Sequence, residues 1–411
     1  MRAYERLIKN VQIHTTSDPE GTSVPSTERQ FDLARELVKE MKMMGIADAR
    51  VDEKCYVYGS IPASEGCENY PAMGFLAHLD TAPDFNGKDV KPQIIPVYDG
   101  GVVELGDSGL KLDPSVFPSL AGLKGRTLIT TDGTSLLGAD DKAGIAAIMT
   151  AAETLLSRDK WEDAIPHGKI CLAFTPDEEI GGGAEDLDLD AFGAKYAFTL
   201  DGEAENEVEY ETFNAASAKF DIHGLSIHPG EAKDKMINAV LLATEIINML
   251  PAGQTPRDTE GYEGFFHLMQ ISGNVEQAEA SLIVRDHDRN LFEERLSLLR
   301  QIEKKMNETY GEGTVALTIK EQYRNMAEKI RENMHLIDNA KMVMVGMGLE
   351  PVTHPVRGGT DGAQLSFRGL PCPNLGTGGH AFHGPYEHIT VEGMDKVVEV
   401  ILGIIYAYAH D

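Results

Sequence analysis

Residues 72–80 read AMGFLAHLD. An unbroken run of apolar and small residues that ends at His78 and Asp80 reads as a short strand buried on both faces. Upstream, residues 27–45 (TERQFDLARELVKEMKMMG) place apolar residues at helical spacing between a Thr start and the Gly45 stop. Downstream, residues 130–156 read as a loop feeding a helix, and KICLAFT (169–175) and KYAFTL (195–200) are two more short apolar runs that end at acidic residues. Helices alternating with buried strands predict an α/β domain built on a mixed, mostly parallel sheet flanked by helices. From about residue 213 the texture changes. AKFDIHG (218–224), FFHLMQISG (265–273) and SLIVRD (281–286) read as half-buried strands, separated by helical patterns at 236–250 and 288–310. Residues 213–325 are therefore expected to form a smaller α+β domain inserted into a discontinuous one made of 1–212 and 326–411. The latter closes with Gly-rich loops at 356–366 and 372–384 and a helix at 391–409. The Gly- and Pro-rich stretch 84–123 carries no assignable element.

Composition narrows the function. The chain has 411 residues, 42% hydrophobic and 25% charged, with a formal charge of −29. That charge repels a nucleic-acid backbone and an anionic membrane surface, so neither is expected as a partner. The first ten residues, MRAYERLIKN, lack the apolar stretch of a secretory signal. VILGIIYAYA (400–409) is about half the length of a membrane crossing and reads as a buried helix. Four cysteines without C-x-x-C spacing indicate neither a disulfide framework nor a thiolate zinc site, and a reducing cytoplasm fits.

Chemistry-bearing residues gather at the ends of the predicted strands, where an open α/β sheet forms its functional crevice. His78 and Asp80 follow GFLA, Asp140 lies at a loop-to-helix junction, Glu178 and Glu179 follow LAFT, Asp201 follows AFTL, and His383 lies in a Gly-rich loop. Carboxylates and imidazoles crowded together repel until a cation joins them, and an oxygen and nitrogen set without Cys suits zinc, manganese or cobalt. In HLD, side chains two apart on an extended segment share a face, so Asp80 can hydrogen-bond the His78 ring. A capped strand end explains that tripeptide as well. Asp140 and Asp141 serve equally as helix caps. The adjacent Glu178 and Glu179 must point in different directions, which lets one bind metal and the other act on water. TLDGE by itself is an ordinary turn.

The ordered set His-x-Asp, Asp-x-Lys, Glu-Glu, Asp and a late His resembles the co-catalytic metallopeptidases, which include aminoacylases, desuccinylases and carboxypeptidase G-type enzymes. Within that group the chain is similar to the tripeptide aminopeptidases of the peptidase T branch. The likeness runs through GFLAHLDTAPDF (74–85), LLGADDKAGIA (136–146), AFTPDEEIG (173–181), HPG (228–230), IVRDHDR (283–289) and RGGTDGAQLSFRGLPCPNLGTGG (357–379). The resemblance implies a zinc-peptidase-like catalytic domain with an inserted lid and dimerisation domain, and a homodimer. It implies two Zn2+ per subunit, with Mn2+ or Co2+ possible. His78 and Asp201 would hold one ion, Glu179 and His383 the other, and Asp140 would bridge them. Asp80 would orient His78, and Glu178 would be the general base toward a water between ions about 3.5–4 Å apart. His380 and His388 lie near enough in sequence to compete with His383.

The implied reaction is release of the N-terminal residue from a short peptide. By the same resemblance Arg285 binds the substrate carboxylate, a role suited to a bidentate guanidinium. A salt bridge to Asp286 or Asp288 is its structural alternative. His228 would reach an active site across a dimer and stabilise an oxyanion; read by itself it is a turn histidine. Arg357 opens a loop before a helix, an arrangement that can capture an anion. Asn274 is either a substrate contact or the cap of a turn. The alternating Glu203, Glu205, Glu207, Glu209 and Glu211 read as a solvated face. Segments near 205–215 and 322–327 would act as hinges. The competing functions are an N-acyl amino-acid amidohydrolase or carboxypeptidase sharing the metal site, and a scaffold that has lost its chemistry. No G-x-S-x-G, Walker-A loop, G-x-G-x-x-G or H-E-x-x-H is present.

Overall fold

Six consecutive buried residues in Met73–His78 and six more in Ile170–Thr175 leave no face for solvent, so each strand needs helices on both sides. The computed structural model, which describes residues 1–158 and 164–409, supplies them. It divides into two compact units, one of Met1–Tyr210, Glu328–His354 and Thr360–Asp411, the other of Glu211–Ala327 and Pro355–Gly359.

The larger unit is built on a seven-stranded sheet. Its order is Arg50–Val51, Val57–Ile61, Ile170–Thr175, Met73–His78, Tyr196–Gly202, Asn374–Gly376, Val208–Glu209. The four central strands run parallel and the flanking pairs antiparallel. One face packs Leu76, Cys171, Ala173 and Ala197 against Phe192, Leu365 and Leu370. The helix Ala139–Arg158 packs against Met73–His78 and Tyr196–Gly202, with Val391–Ala407 and Ala3–Asn10 against it in turn. That helix comes unusually close to the sheet at Gly144, where a Cβ would lie 2.2 Å from the Leu200 carbonyl oxygen. Any larger residue there would push the helix off the sheet.

The stretch 84–123 supplies most of a separate apolar cluster, which Leu128 and Tyr386 complete. The strands Pro92–Ile95, Val103–Glu104 and Lys111–Leu112 and the 3-10 turn Pro118–Leu123 close over Tyr98, Leu105, Leu112, Leu120 and Leu123. Elements of two to six residues are too short to show a hydrophobic period, which is why no element was predicted there.

The smaller unit is an antiparallel sheet in the order Phe265–Gly273, Gln277–Asp286, Asn214–His223, Val315–Tyr323. Burial alternates along its two central strands. The helices Ala239–Asn248 and Arg289–Tyr310 bury Phe220, Ile246, Leu282, Phe292 and Leu299 against one face. The boundaries differ from the sequence reading: the smaller unit runs Glu211–Ala327 rather than 213–325, and it takes in 355–359, which that reading left in the larger unit. Val356 donates its N–H to Glu211 and accepts from His287 Nε2 at 3.0 Å, and these bonds enrol Pro355–Gly359 in the smaller unit.

The glutamates read as a solvated face are not uniformly so. Glu205 is buried and ion-paired to Arg126 at 2.5 Å. Glu207 is buried and accepts the Glu203 and Ala204 N–H groups at 3.1 Å, with burial pushing its pKa up to about 7. Among the described residues, no helix is long and apolar enough to cross a membrane.

Candidate metal centre

Parallel strands deliver their last side chains to one edge of the sheet. His78 is the final residue of Met73–His78, and Asp201 lies in the last turn of pleat of Tyr196–Gly202. Beyond Thr175 the chain turns through Asp177, at φ 58°, into the 3-10 turn Glu178–Ile180. Asp140 opens the helix Ala139–Arg158, and His383 sits at φ 64° in the loop before the strand His388–Thr390.

The side chains meet there. His78 Nε2 is 2.9 Å from Asp140 Oδ1 and 3.4 Å from Asp201 Oδ1. His383 Nε2 is 3.2 Å from Asp140 Oδ2 and 3.0 Å from Glu179 Oε2. The two oxygens of Asp140 thus face two different imidazoles, each with its own second carboxylate. His78, Asp140 and Glu179 could share an ion, as could His78, Glu178 and Asp201.

The expected hydrogen bond between the Asp80 carboxylate and the His78 ring is replaced by one between the ring and the Asp80 main-chain carbonyl. The His78 Nδ1 lies 3.1 Å from the Asp80 main-chain carbonyl and only 3.4 Å from its carboxylate. The carboxylate instead accepts the N–H groups of Glu178 at 3.0 Å and Glu179 at 3.2 Å. Asp80 therefore fixes the turn that carries both glutamates, a contact that the H-x-D spacing could not show.

Electrostatics fit a bound cation. Burial, with Asp201 second, raises Glu178 well above the usual carboxylate range, and burial and Asp140 push Glu179 up to about 7. Burial also raises Asp140, but the His383 and His78 hydrogen bonds outweigh it and hold Asp140 well below the usual range. His383, beside Asp140 and Glu179, is raised to about 11. Divalent ions among these acids would neutralise them directly. One atom tests that fit: Glu179 Oε1 is buried with no hydrogen-bond partner. Such an atom costs about 1–3 kcal/mol or more when left unsatisfied. A metal ion would satisfy it, and the donor set is the oxygen and nitrogen chemistry of zinc, manganese or cobalt.

Neither competing histidine joins the cluster. His380 and His388 pair across antiparallel strands with rings 5.3 Å apart. The His388 Nδ1 is 2.8 Å from the Tyr386 carbonyl, and burial lowers its pKa to about 4. Asp141 is likewise spent on structure, accepting the His78 and Gly144 N–H groups at 3.1 and 3.2 Å.

Two buried carboxylates missed from the sequence brace the glutamate turn. Asp177 accepts Ser26 N–H at 2.6 Å, Ser26 Oγ at 2.5 Å and Gln30 Nε2 at 2.6 Å. Asp361 accepts Thr175 Oγ1 at 2.6 Å and Ala184 N–H at 2.7 Å. A Cβ on Gly183 would lie 1.8 Å from Asp361 Oδ1, so the Gly-rich run after the glutamates is what admits this carboxylate. Nothing in TPDEE or TDG distinguishes a brace from a ligand, because both need a carboxylate.

The remaining residues named from sequence lie in the smaller unit. Neither expected acid holds Arg285: Asp286 is bound to Arg295 at 2.8 Å and Asp288 caps the helix Arg289–Tyr310. The Arg285 Nη1 donates to the Ala216 and Val284 carbonyls, and the guanidinium lies 5.5 Å from the Tyr323 ring centre. His228 Nδ1 accepts the Gly230 N–H at 3.2 Å, so in the neutral ring the proton sits on Nε2, which is then a donor. Asn274 Oδ1 accepts the Glu276 and Gln277 N–H groups, the turn-cap arrangement. Arg357 does not offer an open anion fork: it donates to the Gly261 and Glu263 carbonyls and the Thr259 hydroxyl, all at 2.8 Å, and lies over Phe213 and Phe265. A substrate carboxylate would have to displace those bonds.

Residues 210–314 match the peptidase dimerisation domain family. The chain is 51% identical over 407 residues to peptidase T of Alkaliphilus oremlandii, covering 98% of each chain. It is 50% identical over 409 residues to peptidase T of Clostridium perfringens, covering 99% of each. The structure superposes on a crystal structure of the aminopeptidase PepT from Bacillus cereus with a TM-score of 0.76 at 23% identity, covering 99% of this chain and 98% of the other.

Proposed function

Because the chain belongs to the peptidase T family, we propose that it is a tripeptide aminopeptidase in which Asp140 would be the ligand common to two divalent ions and Glu178 would move the proton. His78 and Asp201 would complete one ion's ligands, and Glu179 and His383 the other's. Zinc fits this set, and manganese and cobalt accept the same donors. The observation that carries the reading is the split of Asp140 between the two imidazoles at 2.9 and 3.2 Å.

Bound divalent ions supply Lewis acidity toward the scissile carbonyl and toward water. The chain's own groups do the rest. Glu178 stands in the cluster without an imidazole partner of its own, takes the proton of the attacking water and delivers it to the leaving amine. The carboxylate of Asp80 holds the Glu178 backbone at 3.0 Å while that proton moves. His228, with Nε2–H as its donor, is assigned to the developing oxyanion, and Asn274 Nδ2 to a substrate carbonyl. Arg357 serves the substrate through the loop that it ties together. The protein acts as a cytoplasmic homodimer joined through the dimerisation domain, on short peptides.

Arg285 is assigned to the substrate's C-terminal carboxylate, which would make it the gauge of peptide length. Arg285→Met should lower kcat/KM for tripeptides about 10–100-fold, mainly through KM, the size expected for one charge-assisted pair. The wild type should discriminate against tripeptide amides to a similar extent, and the variant should not. Steady-state kinetics on a tripeptide and its C-terminal amide checks both; equal discrimination by the two proteins would remove Arg285 from this role.

Mass spectrometry of the metal-loaded protein with pooled di-, tri- and tetrapeptides, each with free and acetylated N-termini, tests the reaction itself. Loss of one N-terminal residue from free tripeptides alone is the expected outcome. Cleavage confined to acetylated substrates would transfer the protein to the amidohydrolase reading.

A further inference from the structure

Glu387 lies four residues after His383 in the same loop and is 1% exposed. A buried carboxyl group needs partners, and this one has three main-chain donors from a distant segment. Its Oε2 accepts the N–H groups of Leu137 at 2.7 Å and Gly138 at 2.8 Å, and its Oε1 accepts the N–H of Asp140 at 2.9 Å. At the other end its backbone is anchored, the carbonyl accepting Thr130 Oγ1 at 3.0 Å and the N–H donating to Gly384. One carboxylate therefore joins the loop that carries His383 to the loop that carries Asp140. Those two side chains meet at 3.2 Å.

We infer that Glu387 is a positioning residue: it locks the backbone of Asp140 against the His383 loop and so sets the spacing between Asp140, the ligand common to both ions, and His383. This rests on Asp140 as the bridging ligand. The Glu387 oxygens are taken by main-chain donors and are assigned to neither an ion nor the substrate. Its effect should therefore be read in metal affinity, where groups that orient ligands typically contribute about 10–100-fold.

The isosteric Glu387→Gln tests it. A glutamine oxygen can keep Leu137 and Gly138 while its NH2 is turned toward the Asp140 N–H, donor against donor. Metal-free wild type and variant are titrated with Zn2+ by calorimetry, with melting of the metal-free proteins followed in parallel. The wild type is expected to bind two ions per chain, and Glu387→Gln to bind them with a Kd raised about 10–100-fold. Glu392→Gln is the control, because Glu392 also accepts the Thr127 N–H and hydroxyl, at 2.8 and 3.1 Å, away from the ligand loops; its Kd should stay at the wild-type value. Should Glu387→Gln not fold, Thr130→Val removes only the anchor of the Glu387 backbone and should raise Kd about 3–10-fold, the size of one neutral hydrogen bond. Wild-type Kd in the folded variant, with at most a lowered melting temperature, overturns the positioning role. A wild type that binds no Zn2+ overturns the ligand assignment and the clamp with it.

Discussion

Glu178→Gln is expected to retain two metal ions per chain and to hydrolyse tripeptides about 10²–10⁴-fold more slowly, the usual contribution of a positioned general base. The substitution is close to isosteric, and the turn that carries it is held by main-chain bonds. Asp80 accepts the Glu178 and Glu179 N–H groups, and neither bond involves the Glu178 side chain. The loss should fall on kcat, since binding of the peptide ends does not pass through this carboxylate. Metal analysis beside steady-state kinetics separates the roles: loss of an ion from the variant would make Glu178 a ligand, as its nearness to His78 and Asp201 also permits.

Asp140→Asn should do more damage, because one residue serves both halves of the centre. An asparagine presents one oxygen and one NH2 where Asp140 presents two oxygens, 2.9 Å from His78 and 3.2 Å from His383. One of the two ligand sets then meets a donor instead of an acceptor. The variant is expected to lose at least one ion, and its activity should fall beyond the about 10²–10⁴-fold expected from removing the base alone. Metal content after dialysis and residual turnover give the answer together. An Asp140→Asn protein with two ions and near-normal kcat would end the bridging assignment.

The fold was legible where its elements were long or wholly apolar. Ile170–Thr175 and Met73–His78 are short apolar runs that a strand covered on both faces buries completely, and Arg289–Tyr310 repeats its apolar face over many turns. The segment 84–123 was opaque because its strands of two to four residues owe their form to Tyr98 and Leu120 packing from elsewhere in the stretch. Pro355–Gly359 was misplaced for a related reason: its partners, Glu211 and His287, are remote in sequence.

The site was legible as residue types at strand ends. Carboxylates gathered in that position repel one another, and an oxygen and nitrogen donor set suited to a divalent cation can be read without coordinates. What sequence could not supply was the division of labour among acids. Asp80, Asp177, Asp361 and Glu387 are all buried or nearly so, all accept main-chain or hydroxyl hydrogens, and all look like ligands in a string of letters. The alternating glutamates show the converse, since Glu205 and Glu207 lie in the interior despite a pattern that reads as solvated. Acidity alone carries no direction; only the donor at the other end of the bond does.

A two-metal centre arranged around Asp140 would underlie the whole reaction. Inductively coupled plasma mass spectrometry of the wild-type protein, reconstituted with Zn2+ and dialysed, tests it most directly when Glu178→Gln and Asp140→Asn are measured beside it. Two ions per chain in the wild type and in Glu178→Gln, with fewer than two in Asp140→Asn, is the predicted result. One ion or none in the wild type, or two in all three proteins, would contradict it.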